Sequence, residues 1–410
     1  MISLISIVII GLLIFNHLHR KDINPSADTG FDIQDLESRN FTAFKEFSDY
    51  FQKLAEKKGA RYAFEVLRRA PMSPNIDMHL LGHVVGDVLY KQEGLNGIKI
   101  CNNDFRNACS HSIVTGLFFD KGEAALPEIA QACRQAPGGS GAYTMCFHGL
   151  GHGILAAVDY DMSKAAVYCD KTSTPQYSYN EGPQCIGGMV MEIIGGGGHD
   201  RNLWAAQRVK YLDKKDPIGL CSRSFISDKA RFMCYTYVTP YLFEVVGANM
   251  SNPTGTDFKK SFPFCNKINI NDKSSRDACY GGFGKEFIGI VQSRDIRQSA
   301  IENISNGQLA QIYKWCKLAD NKEGRISCIL SAANSLYWGG ENSPDITIRY
   351  CGLIDDHDLQ NVCYENLIGA AFFYVKDTGY FESFCKKLPP VYLNDCRTRT
   401  AAGAGRNPQN

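Results

Sequence analysis

The sequence predicts an all-α fold, an αα-hairpin repeat solenoid of about eight disulfide-closed hairpins plus one N-terminal hairpin without a disulfide. Three observations predict it. The 16 cysteines fall into close pairs along the chain. The stretch after each second cysteine mostly reads as a short helix carrying small residues two or three places on, as in CFHGLGHGILAAVD, CIGGMVMEIIGG and CYGGFGKEFIGIV. The units recur every roughly 30 to 50 residues, the period of helical solenoids.

The N-terminus, MISLISIVIIGLLIFNHLHRK, holds an apolar run from Ile2 to Phe15. About 14 residues is short for a membrane span and closer to a signal h-region or a thin anchor. No small-x-small cleavage site follows closely, so residues 1–21 read as a signal anchor in preference to a cleaved signal peptide, and the membrane becomes a partner through this segment. Arg20 and Lys21 follow the run and no basic residue precedes it, a pattern that by itself would leave the body in the cytoplasm. The cysteines argue for the opposite side and carry more weight. Residues 22–39 read as a linker.

Residues 40–396 read as the helical-hairpin repeat domain. The stretch FTAFKEFSDYFQKLAEKKGARYAFEVLRRA, 41–70, has the pattern of one or two amphipathic helices. Ser73 then caps a helix with Pro74 in its first position. HLLGHVVGDVLY and HGLGHGILAAVDY share an H-x-L-G-H core. Residues 58–91 therefore resemble a ninth hairpin, with Asp77 where a cysteine would fall.

The pairs are Cys101/Cys109, Cys133/Cys146, Cys169/Cys185, Cys221/Cys234, Cys265/Cys279, Cys316/Cys328, Cys351/Cys363 and Cys385/Cys396. Thiolate zinc sites place ligands two to four residues apart, and no C-x-x-C occurs. Eight local disulfides follow, and with them an oxidising compartment outside the cytoplasm, periplasmic or cell-surface. Each unit is then a helix (ALPEIAQAC, MSKAAVYC, QLAQIYKWC), a polar turn such as RQAPGGSGAYTM, and a second helix. A loop of 12 to 16 residues closed by a disulfide contributes on the order of 3 kcal/mol in the chain-entropy model. That offsets helical glycines, each about 1 kcal/mol worse than alanine, which let neighbouring helices approach closely. The spacers near 196–215, 247–262 and 290–310 read as extra helix or loop, and 397–410 as a disordered tail.

In architecture, residues 40–396 resemble the broad class of αα-hairpin solenoids that includes tetratricopeptide repeats. The residue signature of those repeats is absent, so the resemblance implies a fold and no activity.

Composition narrows function. Lys plus Arg number 44 and Asp plus Glu 43 in 410 residues, which argues against a nucleic-acid partner. No G-x-S-x-G elbow occurs, and paired cysteines leave no thiolate nucleophile. The run GGGGH at 195–199 lacks the spacing of a phosphate loop. Asn40, Asn249 and Asn303 stand in N-x-S/T sequons.

The histidines carry the sharpest expectation. His17, His19, His199 and His357 read as structural or exposed. His111 and His148 each lie two places after the second cysteine of their hairpins, and His79 takes the same place by alignment. His83 and His152 lie one helical turn further on, on the same face. Stacked second helices bring these five imidazoles to one surface, and Glu192, on the next such helix, can close the set. Asp87 and Asp159 are weaker candidates. Such donors suit a transition metal: zinc, copper, iron or manganese. The expectation is metal binding, with water or dioxygen activation as the chemistry such a site supplies; H-E-x-x-H and C-x-x-C-H are both absent. The alternative is a non-enzymatic scaffold with structural histidines and a protein partner on the solenoid face. A third reading has the histidines titrate as a pH-sensitive patch. Glu286 reads as a helix-face carboxylate paired with Lys285 or a neighbour.

Overall fold

The computed structural model describes residues 29–403 apart from 40, 42–43, 71–77, 102–103, 137–138, 174–180, 197–199, 250–251, 293–302, 340–343 and 375–377. Among the described residues it is helical throughout, with one isolated β-bridge and no strand. The chain divides into two compact units, Met1–Pro71 and Met72–Asn410.

The first unit holds α1 (Gly30–Ser38), α2 (Phe44–Lys58) and α3 (Ala60–Arg69). Phe51 and Leu54 of α2, and Ala63, Phe64 and Leu67 of α3, form its apolar centre. Gly59, at φ +92°, makes the turn between these two helices, a conformation that costs other residues more. Helix α1 lies in the stretch expected to be linker. Its Leu36 is buried, and its Asp32 accepts hydrogen bonds from Lys58 and Tyr62.

The second unit begins with α4 (Met78–Glu93). Chain order then runs α5 (Ala108–Lys121), α6 (Leu126–Arg134), α7 (Gly139–Ala157), α8 (Met162–Thr172), α9 (Glu181–Gly195), α10 (Arg201–Tyr211), α11 (Arg231–Tyr237), α12 (Thr239–Val245) and α13 (Gly255–Ser261). It continues with α14 (Lys273–Val291), α15 (Asn306–Cys316), α16 (Lys322–Gly339), α17 (Asp345–Gly352), α18 (His357–Tyr374), α19 (Thr378–Lys387) and α20 (Pro390–Gly403). The stretch expected as a ninth hairpin is divided between the two units, α3 in one and α4 in the other.

All eight expected disulfides are present, from Cys101–Cys109 to Cys385–Cys396. Each ties a hairpin's second helix to what precedes it. With no cysteine left free, the chain belongs in an oxidising, extracytoplasmic environment. The second helices α4, α5, α7, α9, α11, α14, α16 and α18 pack each against the next, and α18 comes back to touch α7. The row therefore curls round on itself.

The first arm is a helix in five hairpins and a 3₁₀ turn in three: Gly94–Lys99, Gly219–Ser222 and Phe262–Lys267. Pro263 sits at the start of the last of these. Here the disulfide does for a short turn what helix packing does elsewhere. In the fourth hairpin Pro240 stands at the start of α12 and the second arm breaks into α11 and α12, because proline lacks the N–H that a continuous helix needs. Elsewhere side-chain oxygens mark the helix starts: Asp161 on α8, Asp200 on α10, Asp272 on α14 and Ser305 on α15.

The glycines permit the close packing. A Cβ on Gly188 would stand 1.8 Å from the His148 carbonyl oxygen, one on Gly151 1.9 Å from that of Cys185, and one on Gly284 2.0 Å from that of Cys328. Only backbone fits at these crossings. The expected tail begins as helix, since α20 runs to Gly403. Among the described residues no helix is long and apolar enough to cross a membrane. The expected anchor, residues 1–21, and His17, His19 and His199 lie outside the described residues.

Candidate functional site

The histidines sit on three successive second helices, as their register predicts. His83 lies on α4, His111 on α5, and His148 and His152 on α7. His79 falls on the first turn of α4, and its side chain lies outside the described residues. The ring centroids of His83 and His111 are 5.8 Å apart, His111 and His148 6.1 Å, His111 and His152 6.0 Å, and His148 and His152 5.0 Å.

What positions each ring is local. Ser112 Oγ–H donates to the His83 carbonyl at 2.9 Å, so His83 Nδ1, 3.1 Å from the same oxygen, is the donor in that contact. His111 lies against the backbone of α7 at Gly149, where a Cβ would meet its ring at 2.2 Å. His148 is buried and packs on the Tyr237 ring of α11, 4.6 Å between centroids.

His152 engages protein with both nitrogens. Its Nδ1 is 2.9 Å from Glu192 Oε2 on α9 and its Nε2 3.3 Å from His148 Nε2. With Glu192 ionised, hence acceptor-only, His152 Nδ1 carries the hydrogen. In the imidazole–imidazole contact one of the two facing nitrogens donates and the other accepts, the tautomer setting which. Glu192 is held twice more. The Tyr160 hydroxyl donates to Oε1 at 3.2 Å, and Trp204 Nε1 donates to the Glu192 backbone carbonyl at 3.0 Å. Burial first, then the Glu192 charge, pushes the Tyr160 phenol well above its ordinary range, which keeps it a donor.

The chain of contacts runs on past the histidines. Lys285 Nζ, on α14, stands 4.6 Å over the Tyr237 ring and 2.8 Å from Glu286 Oε1. Glu286 thus has the neighbour expected for it. One polar path leads from His83 through His111, His148 and Tyr237 to Lys285 and Glu286, with His152 and Glu192 as a branch.

This geometry corrects the metal expectation. Among the described residues no group of three or more His, Cys, Asp or Glu is arranged to hold a metal ion. A transition metal needs several lone pairs converging on one point, about 2.0–2.1 Å from each imidazole nitrogen. Here the rings stack and tilt against one another, with the two nearest nitrogens sharing a hydrogen. Glu192 joins His152 as expected, but as a hydrogen-bond acceptor. With the metal go zinc, copper, iron and manganese as cofactors of this set, and the water or dioxygen chemistry drawn from it. Asp87 and Asp159 are exposed, and His357 is an exposed residue at the start of α18 beside Asn361.

The sequence reading missed Ser112, Tyr160 and Tyr237, and it named Lys285 only as a partner of Glu286, without its place over Tyr237 beside the histidines. Lys285 carried a usable signal, since it follows Cys279 by the same interval at which His152 follows Cys146. Tyr160 carried none: it lies beyond α7 at φ +59°, and only the fold brings it to Glu192. No protein-family model, no curated protein and no solved structure matches this chain.

Proposed function

We propose that this protein is an extracytoplasmic scaffold that holds a protein partner, tethered to the membrane by residues 1–21, with His83, His111, His148 and His152 serving the packing of its frame. The observation that carries the reading is the fit of His111 to Gly149. An imidazole set against the backbone of a neighbouring helix, where even a Cβ would collide, is a packing element. Its ring joins α5 to α7 much as the glycine crossings join α7 to α9.

Repeat arrays offer long, stiff surfaces to macromolecules, and a disulfide in every hairpin suits a frame that must keep its shape outside the cell. Exposed apolar side chains occur on this frame at Phe119, Val167, Met191 and Val209, which are reasonable places to look for the partner's contact.

The test is site-specific photo-crosslinking in the native host, with a photoreactive phenylalanine analogue placed singly at Phe119, Val167, Met191 and Val209 and, as a control, at Lys214. Discrete adducts from a subset of the four positions and none from Lys214 support the reading. Absence of adducts at all four, with the protein folded and exported, overturns it. The tether is read separately: the full chain fractionates with membranes and a chain starting at residue 28 does not.

A further inference from the structure

A second place on the molecule has the chemistry of a binding site. A cleft of about 280 Å³ opens at the turn ends of the fourth and fifth hairpins. The 3₁₀ turn Gly219–Ser222 and the start of α11 form one side, and the segment from Lys267 to Asp272, which leads into α14, forms the other. Its charged lining is Asp216, Arg231, Lys267 and Asp272. Two cations and two anions line it, so its charged groups are neutral in sum. Ile218 and Ile268 give it an apolar wall.

The groups are differently engaged. Arg231 uses Nη2 on Asp228, while its Nε is buried and has no hydrogen-bond partner among the described residues. The side chain is still 30% exposed, so a carboxylate entering the cleft can reach the remaining N–H groups of the guanidinium. Beside it the Tyr235 hydroxyl shares a hydrogen bond with Ser222 Oγ at 3.2 Å. One of this pair is left able to donate to a ligand.

On the anionic side, Asp272 caps α14 by accepting from the Ser275 N–H at 3.1 Å. Asp216 is exposed, and its carboxylate lies back against the turn at Gly219, where a Cβ would come within 2.2 Å of Oδ2. As part of the cleft lining it is placed to take up a cation. Burial raises the Tyr235 phenol, Arg231 lowers it, and Asp272 and Asp216 raise it again, which places all three charges within electrostatic reach of one hydroxyl.

We propose that this cleft binds a small dipolar ion, a free α-amino acid, with its carboxylate on Arg231 and Tyr235 and its ammonium on Asp216 and Asp272. The size agrees. The volume sits just below the range of about 300–1,000 Å³ that holds drug-sized ligands, and the isoleucine wall accepts a short aliphatic side chain. Lys267 Nζ, 5.0 Å over the Phe264 ring, stands at the rim and steers the anionic end.

The test is calorimetric titration of the full chain in detergent with L-alanine, L-leucine and L-glutamate, beside N-acetyl-L-alanine and L-alaninamide, each of which lacks one of alanine's two charges. Arg231→Gln and Asp216→Asn variants are titrated in parallel, with thermal unfolding as the check on fold. The expected result is saturable one-to-one binding of at least one free amino acid, weakened tenfold or more by blocking either end of alanine and in both variants. Asp216 is exposed, so its variant keeps the comparison open if Arg231→Gln fails to fold. No saturable binding of any of the three amino acids at millimolar concentration overturns the proposal. So does a blocked analogue that binds as well as alanine, or an Asp216→Asn protein with parental affinity.

Discussion

His152 Nδ1 lies 2.9 Å from Glu192 Oε2, one hydrogen bond joining the second helices of two successive hairpins. Both side chains are largely covered, with 19% and 8% of their surfaces exposed, so the contact is shielded from solvent. Removing one partner leaves the other's polar atoms buried without it, a cost of about 1–3 kcal/mol. Glu192→Ala is expected to lower stability by that amount, read as a shift in the urea midpoint with the disulfides intact. His152→Ala/Glu192→Ala should cost less than the two single changes added together. Full additivity would mean that the contact contributes nothing.

The second prediction concerns a buried charge. Glu181, fully buried at the start of α9, receives Nε and Nη2 of Arg134 at 2.8 and 3.0 Å and the Tyr143 hydroxyl at 3.1 Å. Loss of the guanidinium leaves a buried carboxylate without its counter-ion. Breaking such a pair from one side costs about 3–5 kcal/mol. Arg134→Ala should therefore destabilise more than Glu192→Ala, and more than Arg134→Ala/Glu181→Gln. Chemical denaturation of the three proteins decides it.

Two glycines should respond with opposite signs. Gly188→Ala drives a methyl group into the His148 carbonyl at 1.8 Å, against backbone that cannot swing aside, with overpacking costs of about 1–3 kcal/mol or more. Gly289, inside α14, has nothing within 4 Å of its would-be Cβ. Gly289→Ala should stabilise by up to about 1 kcal/mol through helix propensity. Equal effects at the two sites would mean that the α7–α9 crossing is looser than its geometry.

The fourth prediction is a pH dependence in the first unit. Burial alone would raise the Asp32 carboxyl, but hydrogen bonds from Lys58 and Tyr62 and the charges of Lys58 and Lys57 bring it below its ordinary value of 3.8. A carboxyl depressed in the folded state binds its proton more readily when unfolded. Its contribution is therefore complete above the ordinary value and is lost as pH falls through the lower, folded one. The protection of the α1 amides against hydrogen exchange, taken relative to the intrinsic rate at each pH, should fall below about pH 4. In Asp32→Asn that protection should already be low at neutral pH and change little on acidification.

The frame itself is open to a covalent check. Peptide mapping under non-reducing conditions should return eight linkages, each within one hairpin. The longest loop, Cys169–Cys185 at a separation of 16, should contribute slightly more than the shortest, Cys101–Cys109 at 8, because closure entropy grows with the logarithm of loop length. Replacing each pair by serine and comparing urea midpoints tests the order.

Much of the architecture could be read from the chain because its causes are local. A pair of cysteines a dozen residues apart with a polar turn between them can close only its own hairpin. The interval from cysteine to imidazole then sets which face of the second helix a histidine takes, and His111, His148 and His152 appear where that interval puts them. The 3₁₀ first arms were not foreseen, since a disulfide holds a short turn as readily as a helix and leaves the sequence little reason to advertise the difference. The division of the expected ninth hairpin was equally hidden, because the likeness of HLLGHVVGDVLY to HGLGHGILAAVDY speaks only for the second helix.

The sequence by itself determined an all-helical, disulfide-paired array and brought the histidines to neighbouring helices, because helical period, turn chemistry and short covalent loops act over a few residues. Only the tertiary structure decided what those histidines do. Which way an imidazole turns depends on the partner across the crossing: Gly149 lets His111 come against the backbone of α7, Ser112 holds His83, and Glu192, 40 residues from His152 along the chain, takes the hydrogen of its Nδ1. A ligand set and a packed row of rings share the same residue types at the same spacing and differ only in the direction of their lone pairs, which distant neighbours set.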